Sequence, residues 1–105
     1  MTGPYRRVVV IGGSQVVPFV RELVGAGHEV HCIDRAEVPV AWLASQTICD
    51  VDSVEQLVAT IDRIGSVVHT LYLGCSLPPA VTEAVVAAAE SKSIAGSFSV
   101  VETDA

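Results

Sequence analysis

VVVIGGSQVVPFV, residues 8–20, is the stretch on which the reading of this chain turns. With Arg7 before it, the run Val8-Val9-Val10-Ile11 is apolar on both alternating faces. A strand with one wet face alternates apolar and polar residues. An unbroken run suits a strand buried on both sides, as in a parallel sheet. Gly12 and Gly13 stop it. Pro18 fits the first turn of a helix, where its missing N–H has no bond to lose. Phe19, Val20, Leu23 and Val24 follow at helical spacing, and Gly25-Ala26-Gly27 closes the helix.

The same alternation runs through the rest of the chain. A second strand is expected over residues 28–33, with Asp34 and Arg35 at its carboxyl end. A short helix is expected over 36–45, with Pro39 at its start and Trp42 and Leu43 facing inward. A third strand over 46–49 leads into the turn Asp50-Val51-Asp52-Ser53. Asp52 or Ser53 caps the next helix, and Gln56 stands three residues after Ser53, as in a capping box. That helix carries Val54, Leu57, Val58 and Ile61 and ends near Gly65. A fourth strand over 67–73, a loop over 74–79, an Ala/Val-rich helix from Ala80 to Ser91 and a fifth strand over 97–101 complete the chain. Strands and helices joined by short connections imply right-handed βαβ crossovers. The expectation is one α/β, Rossmann-like domain over residues 1–105. Its parallel sheet has about five strands in the order 3-2-1-4-5, with helices on both faces.

Composition excludes several functions. The 105 residues make one domain, with six basic against twelve acidic residues and a net charge of -6. Such a surface repels phosphates, so nucleic acid is not an expected partner. No apolar run approaches the roughly 20 residues of a membrane helix. Arg6 and Arg7 precede an apolar run, but it is too short for a signal peptide and ends in glycines. A cytoplasmic protein is expected. Cys32, Cys49 and Cys75 are odd in number and form no CxxC, and His31 and His69 beside them complete no metal-ligand spacing. They read as reduced, mostly buried thiols, with no metal site. A Walker loop is absent, and Gly12-Gly13 stand where a receiver domain needs paired acids. Cys75 follows a strand at the carboxyl edge, where sites collect, but no base is placed to activate it.

The order of elements resembles the amino-terminal part of the short-chain dehydrogenase/reductase family, over roughly residues 7–101. That family opens with a T-G-x-x-x-G-x-G turn. Here the matching residues are Ile11, Gly12, Gly13, Ser14, Gln15, Val16, Val17 and Pro18. The first glycine is kept and the next two are Val16 and Pro18. A dinucleotide pyrophosphate rests on the N–H groups of this helix start. Val16 stands where the backbone should be bare, and Pro18 removes a donor. The resemblance implies that Asp34 lies where an acid holds the adenosine ribose hydroxyls and favours NAD, with Arg35 beside it able to accept a 2′-phosphate. Asp50-Val51 resembles the family's D-V pair beside the adenine. Leu73-Gly74-Cys75-Ser76 falls where the family has N-N-A-G, without the asparagines. The cofactor-binding candidates are therefore Gly12, Gly13, Ser14, Asp34, Arg35, Asp50, Val51 and Gly74.

The family's catalytic Y-x-x-x-K is absent. Tyr5 is followed at the fourth position by Val9, Tyr72 by Ser76, and no tyrosine stands four before Lys92. Hydride transfer by the family mechanism is not expected, and no catalytic residue is assigned. SVVHTLYLG, the Ala/Val helix and SFSVVET also resemble the structural subdomain of polyketide synthase ketoreductases, a dehydrogenase cut short that supports a catalytic partner. The leading expectation is a truncated, non-catalytic domain without a cofactor. It acts by association, as a homodimer or as the partner of a reductase, through the 80–91 helix or the strand-five edge. The alternatives are a module with weak NAD or NADP affinity, and an enzyme of unrecognised mechanism.

Overall fold

The computed structural model describes residues 6–64, 68–93 and 98–103. In chain order the elements are β1 (Arg7–Ile11), a 3-10 turn (Gly13–Gln15), α1 (Val17–Gly25), β2 (Glu29–Asp34), β3 (Ser45–Ile48), α2 (Val54–Arg63), β4 (Thr70–Leu73), α3 (Pro79–Glu90) and β5 (Ser99–Glu102). The strands form one all-parallel sheet in the order β3-β2-β1-β4-β5, the topology expected from the sequence. No helix among the described residues is long and apolar enough to cross a membrane.

The apolar run that opens the chain becomes the central strand. Val8 to Ile11 are fully buried, and their alternation feeds two cores. Val9 and Ile11 join Ile33, Leu71, Leu57 and Ile61 of α2 and Val81 and Val85 of α3. Val8 and Val10 face the other way and join Val20 and Leu23 of α1 with Val30 and Cys32. Burying each Val, Leu or Ile contributes about 1.5–3 kcal/mol, so both helical layers depend on this strand.

Pro18 sits in the first turn of α1, although the helix already begins at Val17. α2 is capped as expected at Ser53, whose Oγ accepts from Gln56 N at 3.3 Å. The return bond differs from a capping box: Gln56 Oε1 accepts from Asp50 N at 3.0 Å, closing the turn instead of the cap. α3 lays Val81, Val85 and Ala89 on the sheet, leaving Ala80 and Ala87 exposed. Lys92 then donates from Nζ to the Asp62 carbonyl at 2.8 Å. β5 is the outer strand, with Val100 and Val101 each 39% exposed.

The helix expected over 36–45 does not form. Gln46, on β3, takes both backbone groups of Val38: its Oε1 accepts from Val38 N, and its Nε2 donates to Val38 O at 3.3 Å. Those groups are then lost to a helix, and a segment this short, with Pro39 inside it, has little helical stability of its own. Val38 alone is buried there. Trp42 does not face inward: it is 90% exposed and held at φ 69°, a left-handed backbone that is uncommon for a bulky residue. Leu43 is half-buried. The fourth strand begins at Thr70, later than expected, and Val67 lies outside the described residues. The fifth is displaced to Ser99–Glu102, with Ser97 also outside them.

Glycine substitutions test the packing around the first turn. A Cβ on Gly74 would meet Gly12 O and Val16 Cγ2 at 2.9 Å and Ile11 O at 3.2 Å, where backbone cannot yield cheaply. Gly74→Ala is expected to cost about 1–3 kcal/mol of stability in urea denaturation. Gly25, the last residue of α1, has nothing within 4 Å of such a Cβ, and Gly25→Ala should stabilise by about 0.5–1 kcal/mol. Equal effects at the two positions would refute this account. Ser53→Ala should cost about 1 kcal/mol through loss of the α2 cap, read as a lower thermal midpoint.

Candidate functional site at the carboxyl edge of the sheet

In an open parallel sheet, ligand sites collect beyond the carboxyl ends of the strands where the strand order reverses. Here that place lies between β1 and β4, and the ladders on both sides of β1 run one residue past the strands. Gly12 N donates to Ile33 O at 2.9 Å, and Gly74 N donates to Ile11 O at 2.7 Å. Gly12 has φ 81°, the left-handed region that glycine adopts without strain. A Cβ on Gly12 would also stand 2.6 Å from Cys75 Sγ. The first glycine is therefore required by the turn and by the close packing of the β4 loop, whether or not a ligand is bound. Gly13 is buried, and a Cβ there would meet Val38, Cys32 and Val20 at 3.3–3.4 Å.

Val16 is buried with Val8, Val20 and Val30, and its Cγ2 lies against Gly74. The branched side chain of Val16 thus fills space beneath the turn.

Asp34 is the most strongly constrained polar residue at this edge. Its side chain is in a residue only 8% exposed. Oδ2 accepts from Ser14 N at 2.8 Å and Oδ1 from Arg35 N at 2.6 Å. The carboxylate therefore clamps the glycine turn to the end of β2. Arg35 reaches in the opposite direction, to Asp50 Oδ1 at 3.2 Å and to Asp52. Asp50 accepts also from Asp52 N, and that backbone bond, then Arg35, holds its carboxyl below the usual carboxylate range. Val51 is buried in the core beneath α2 and α3.

Of the candidates read from the sequence, Gly12, Gly13, Ser14, Asp34 and Gly74 come together around one turn. Arg35 and Asp50 form an exposed ion pair at the end of β2, and Val51 points into the core. Sequence reading passed over a small cavity of about 160 Å³ lined by Leu73, Cys75, Ser76, Leu77, Thr82 and Glu102. Its only signal in the sequence is position, since it lies at the ends of β4 and β5 beside the start of α3. Burial pushes the Cys75 thiol up, aided by Asp34, and pushes Cys49 up as well. Cys32 is pushed up to about 12 by burial and by Asp34. Among the described residues no group of three or more His, Cys, Asp or Glu could hold a metal ion.

No family model matches the chain, and no curated protein does. Solved structures do match its fold. Aldohexose dehydrogenase from Thermoplasma acidophilum, in ligand-free form, superposes with a TM-score of 0.75 at 20% identity over 92% of this chain and 48% of that one. Uronate dehydrogenase from Agrobacterium tumefaciens, as a variant complexed with NAD, gives a TM-score of 0.65 at 15% identity over 95% of this chain and 41% of that one. The same enzyme in a second structure gives 0.64 at 16% identity, over 94% and 40%. The chain thus spans about half the length of the structures it matches. At these identities the likeness is one of fold, the Rossmann-like arrangement of dehydrogenases.

Proposed function

We propose that this domain works by association, pairing its β5 edge with a second copy or with a reductase partner, and that it carries out no hydride transfer itself. The observation behind this reading is the outer strand: all four residues of β5 are exposed, and two of them are valines. An edge that no other described residue covers is a template for pairing, which proteins otherwise blunt with charge, proline or a covering element, and here Glu102 is the one charge on the strand. The α3 helix contributes less than its composition suggests, because its valine stripe is committed to the sheet. The absent Y-x-x-x-K motif agrees with a supporting role. A ketoreductase of the polyketide type is the partner class to which the sequence resemblance points.

A second reading is weak binding of NAD or NADP at the Gly12 turn. It is supported by the left-handed Gly12, by Asp34 at the end of β2, and by the likeness to an enzyme solved with NAD. Against tight binding, Asp34 already accepts from three backbone N–H groups, those of Ser14, Arg35 and Ala36. Thiol catalysis is disfavoured as well, since the thiolate is the nucleophile and burial pushes all three thiols toward the protonated form.

Edge pairing can be blocked at one residue. Ser99 N and Thr103 N donate inward, to His69 O and Leu73 O, so ladder alternation turns the Val100 N–H outward. Val100→Pro should convert an associated species to a monomer in light scattering while the circular dichroism stays unchanged. A wild-type monomer that recovers no reductase from extract would end this reading.

Calorimetric titration should give dissociation constants for NAD and NADP above about 1 mM, less than about 4 kcal/mol of binding free energy. Micromolar affinity, lost in Asp34→Ala, would favour the second reading instead. Alkylation by iodoacetamide at pH 8 should be slower in the folded chain than in urea, and slowest at Cys32. A raised thiol pKa leaves less thiolate at any pH below it, so the rates should climb only as pH rises further.

A further inference from the structure

The far side of the sheet carries a hydrogen-bonded array that plays no part in the site above. On β2, Glu29 and His31 are two residues apart and share a face. Parallel register sets Arg7 of β1 beside Glu29, and Ser45 of β3 beside His31. Ile33, next on that face, joins the core under α2 and α3. Four polar side chains thus line up across three strands at the amino end of this face.

The contacts give the array a direction. Glu29 Oε2 lies 2.6 Å from His31 Nε2, and Arg7 Nε donates to the same oxygen. An ionised carboxylate only accepts, so Nε2 carries the hydrogen. In neutral His31, Nδ1 is then the bare nitrogen, and Ser45 Oγ lies 2.7 Å from it. The serine hydroxyl therefore donates to a base whose tautomer is fixed by a carboxylate. The His31 side chain is 9% exposed, while Ser45 is half-buried on the outer strand β3.

We propose that Ser45, His31 and Glu29 form a nucleophilic serine centre that takes an acyl group from small, uncharged carboxylic esters. Ser45 Oγ bonds to the ester carbonyl carbon, and its proton passes to His31 Nδ1. The bond to the alkoxy oxygen breaks, and that oxygen leaves with the proton as the alcohol. Water then attacks the acyl-serine by the same route, giving its proton through His31 back to Ser45 Oγ and releasing the carboxylic acid. Glu29 is a positioning residue that sets the tautomer and stabilises the imidazolium, and Arg7 holds Glu29 in place by donating to the same oxygen. The roles are those of a serine triad, which is defined by geometry and not by chain order. An uncharged substrate suits a chain of net charge -6.

The test is labelling of the full chain with a fluorophosphonate, in which Ser45 Oγ bonds to phosphorus and fluoride leaves. Intact mass and peptide mapping should show a single adduct, on Ser45, formed roughly 100-fold faster than in the chain unfolded in urea. Ser45→Ala should abolish the adduct with circular dichroism unchanged, and His31→Gln should slow it by a similar factor. Glu29→Gln should move the curve of labelling rate against pH to lower pH, which a purely structural role would not do. Turnover of p-nitrophenyl acetate should follow the same order. An adduct that persists in Ser45→Ala, or a folded chain labelled no faster than the unfolded one, overturns the proposal even if His31→Gln proves unstable.

Discussion

The structure depends on β1 being buried on both faces. Its four apolar residues pack against α1 on one side and against α2 and α3 on the other, so neither core exists without it. The chain must then leave this strand through a space bounded by β2, β4 and α1. Gly12 bends into the left-handed region, and Gly74, just after β4, has no side chain, so that Gly12 O, Ile11 O and Val16 can approach. Glycine at both places is a packing requirement, and it would be so in a chain that bound nothing.

The same crowding shapes the carboxyl edge. In a dinucleotide site the turn must offer free N–H groups and the acid after β2 must offer free oxygens. Here Ser14 N and the Asp34 carboxylate satisfy one another. The pair stabilises the turn when the site is empty, and a ligand would have to share it. Arg35, drawn to Asp50 and Asp52, belongs to a second polar group on the outside of the same edge. Asp34 therefore serves the fold first, and any nucleotide affinity is limited by that service.

The two outer strands differ. β3 is held by side-chain bonds as well as by its ladder, through Gln46 to Val38 and through Ser45 to His31. Among the described residues, β5 has a ladder to β4, a hydroxyl contact between Thr70 and Ser99 at 3.3 Å and, just past its end, Thr103 Oγ1 donating to Leu73 O at 3.3 Å. One edge is thus tied into the molecule by more polar side-chain bonds, although it exposes Ile48 at its end, and the other presents Val100 and Val101. That asymmetry follows from composition: residues 45–47 are polar, whereas residues 100 and 101 are not.

Several features were legible in the sequence alone. The unbroken valine run meant a doubly buried central strand, and strand–helix alternation meant a parallel sheet, because both patterns are local and set by side-chain periodicity. Pro18 in the first turn of α1 and Ser53 at the cap of α2 were legible for the same reason. The 36–45 segment was not. Its apolar spacing fits a helix, but the backbone of Val38 was captured by Gln46 from a neighbouring strand, and Trp42 was turned out to solvent. Asp34 could be placed at the end of β2, but its bond to Ser14 depends on how β1 and β2 are registered. The array of Arg7, Glu29, His31 and Ser45 left no mark on the sequence. Its members come from three strands, up to 38 positions apart, and only the parallel register brings them to one face. Periodicity determined the elements and their order; the pairing of distant backbone decided which polar side chains meet.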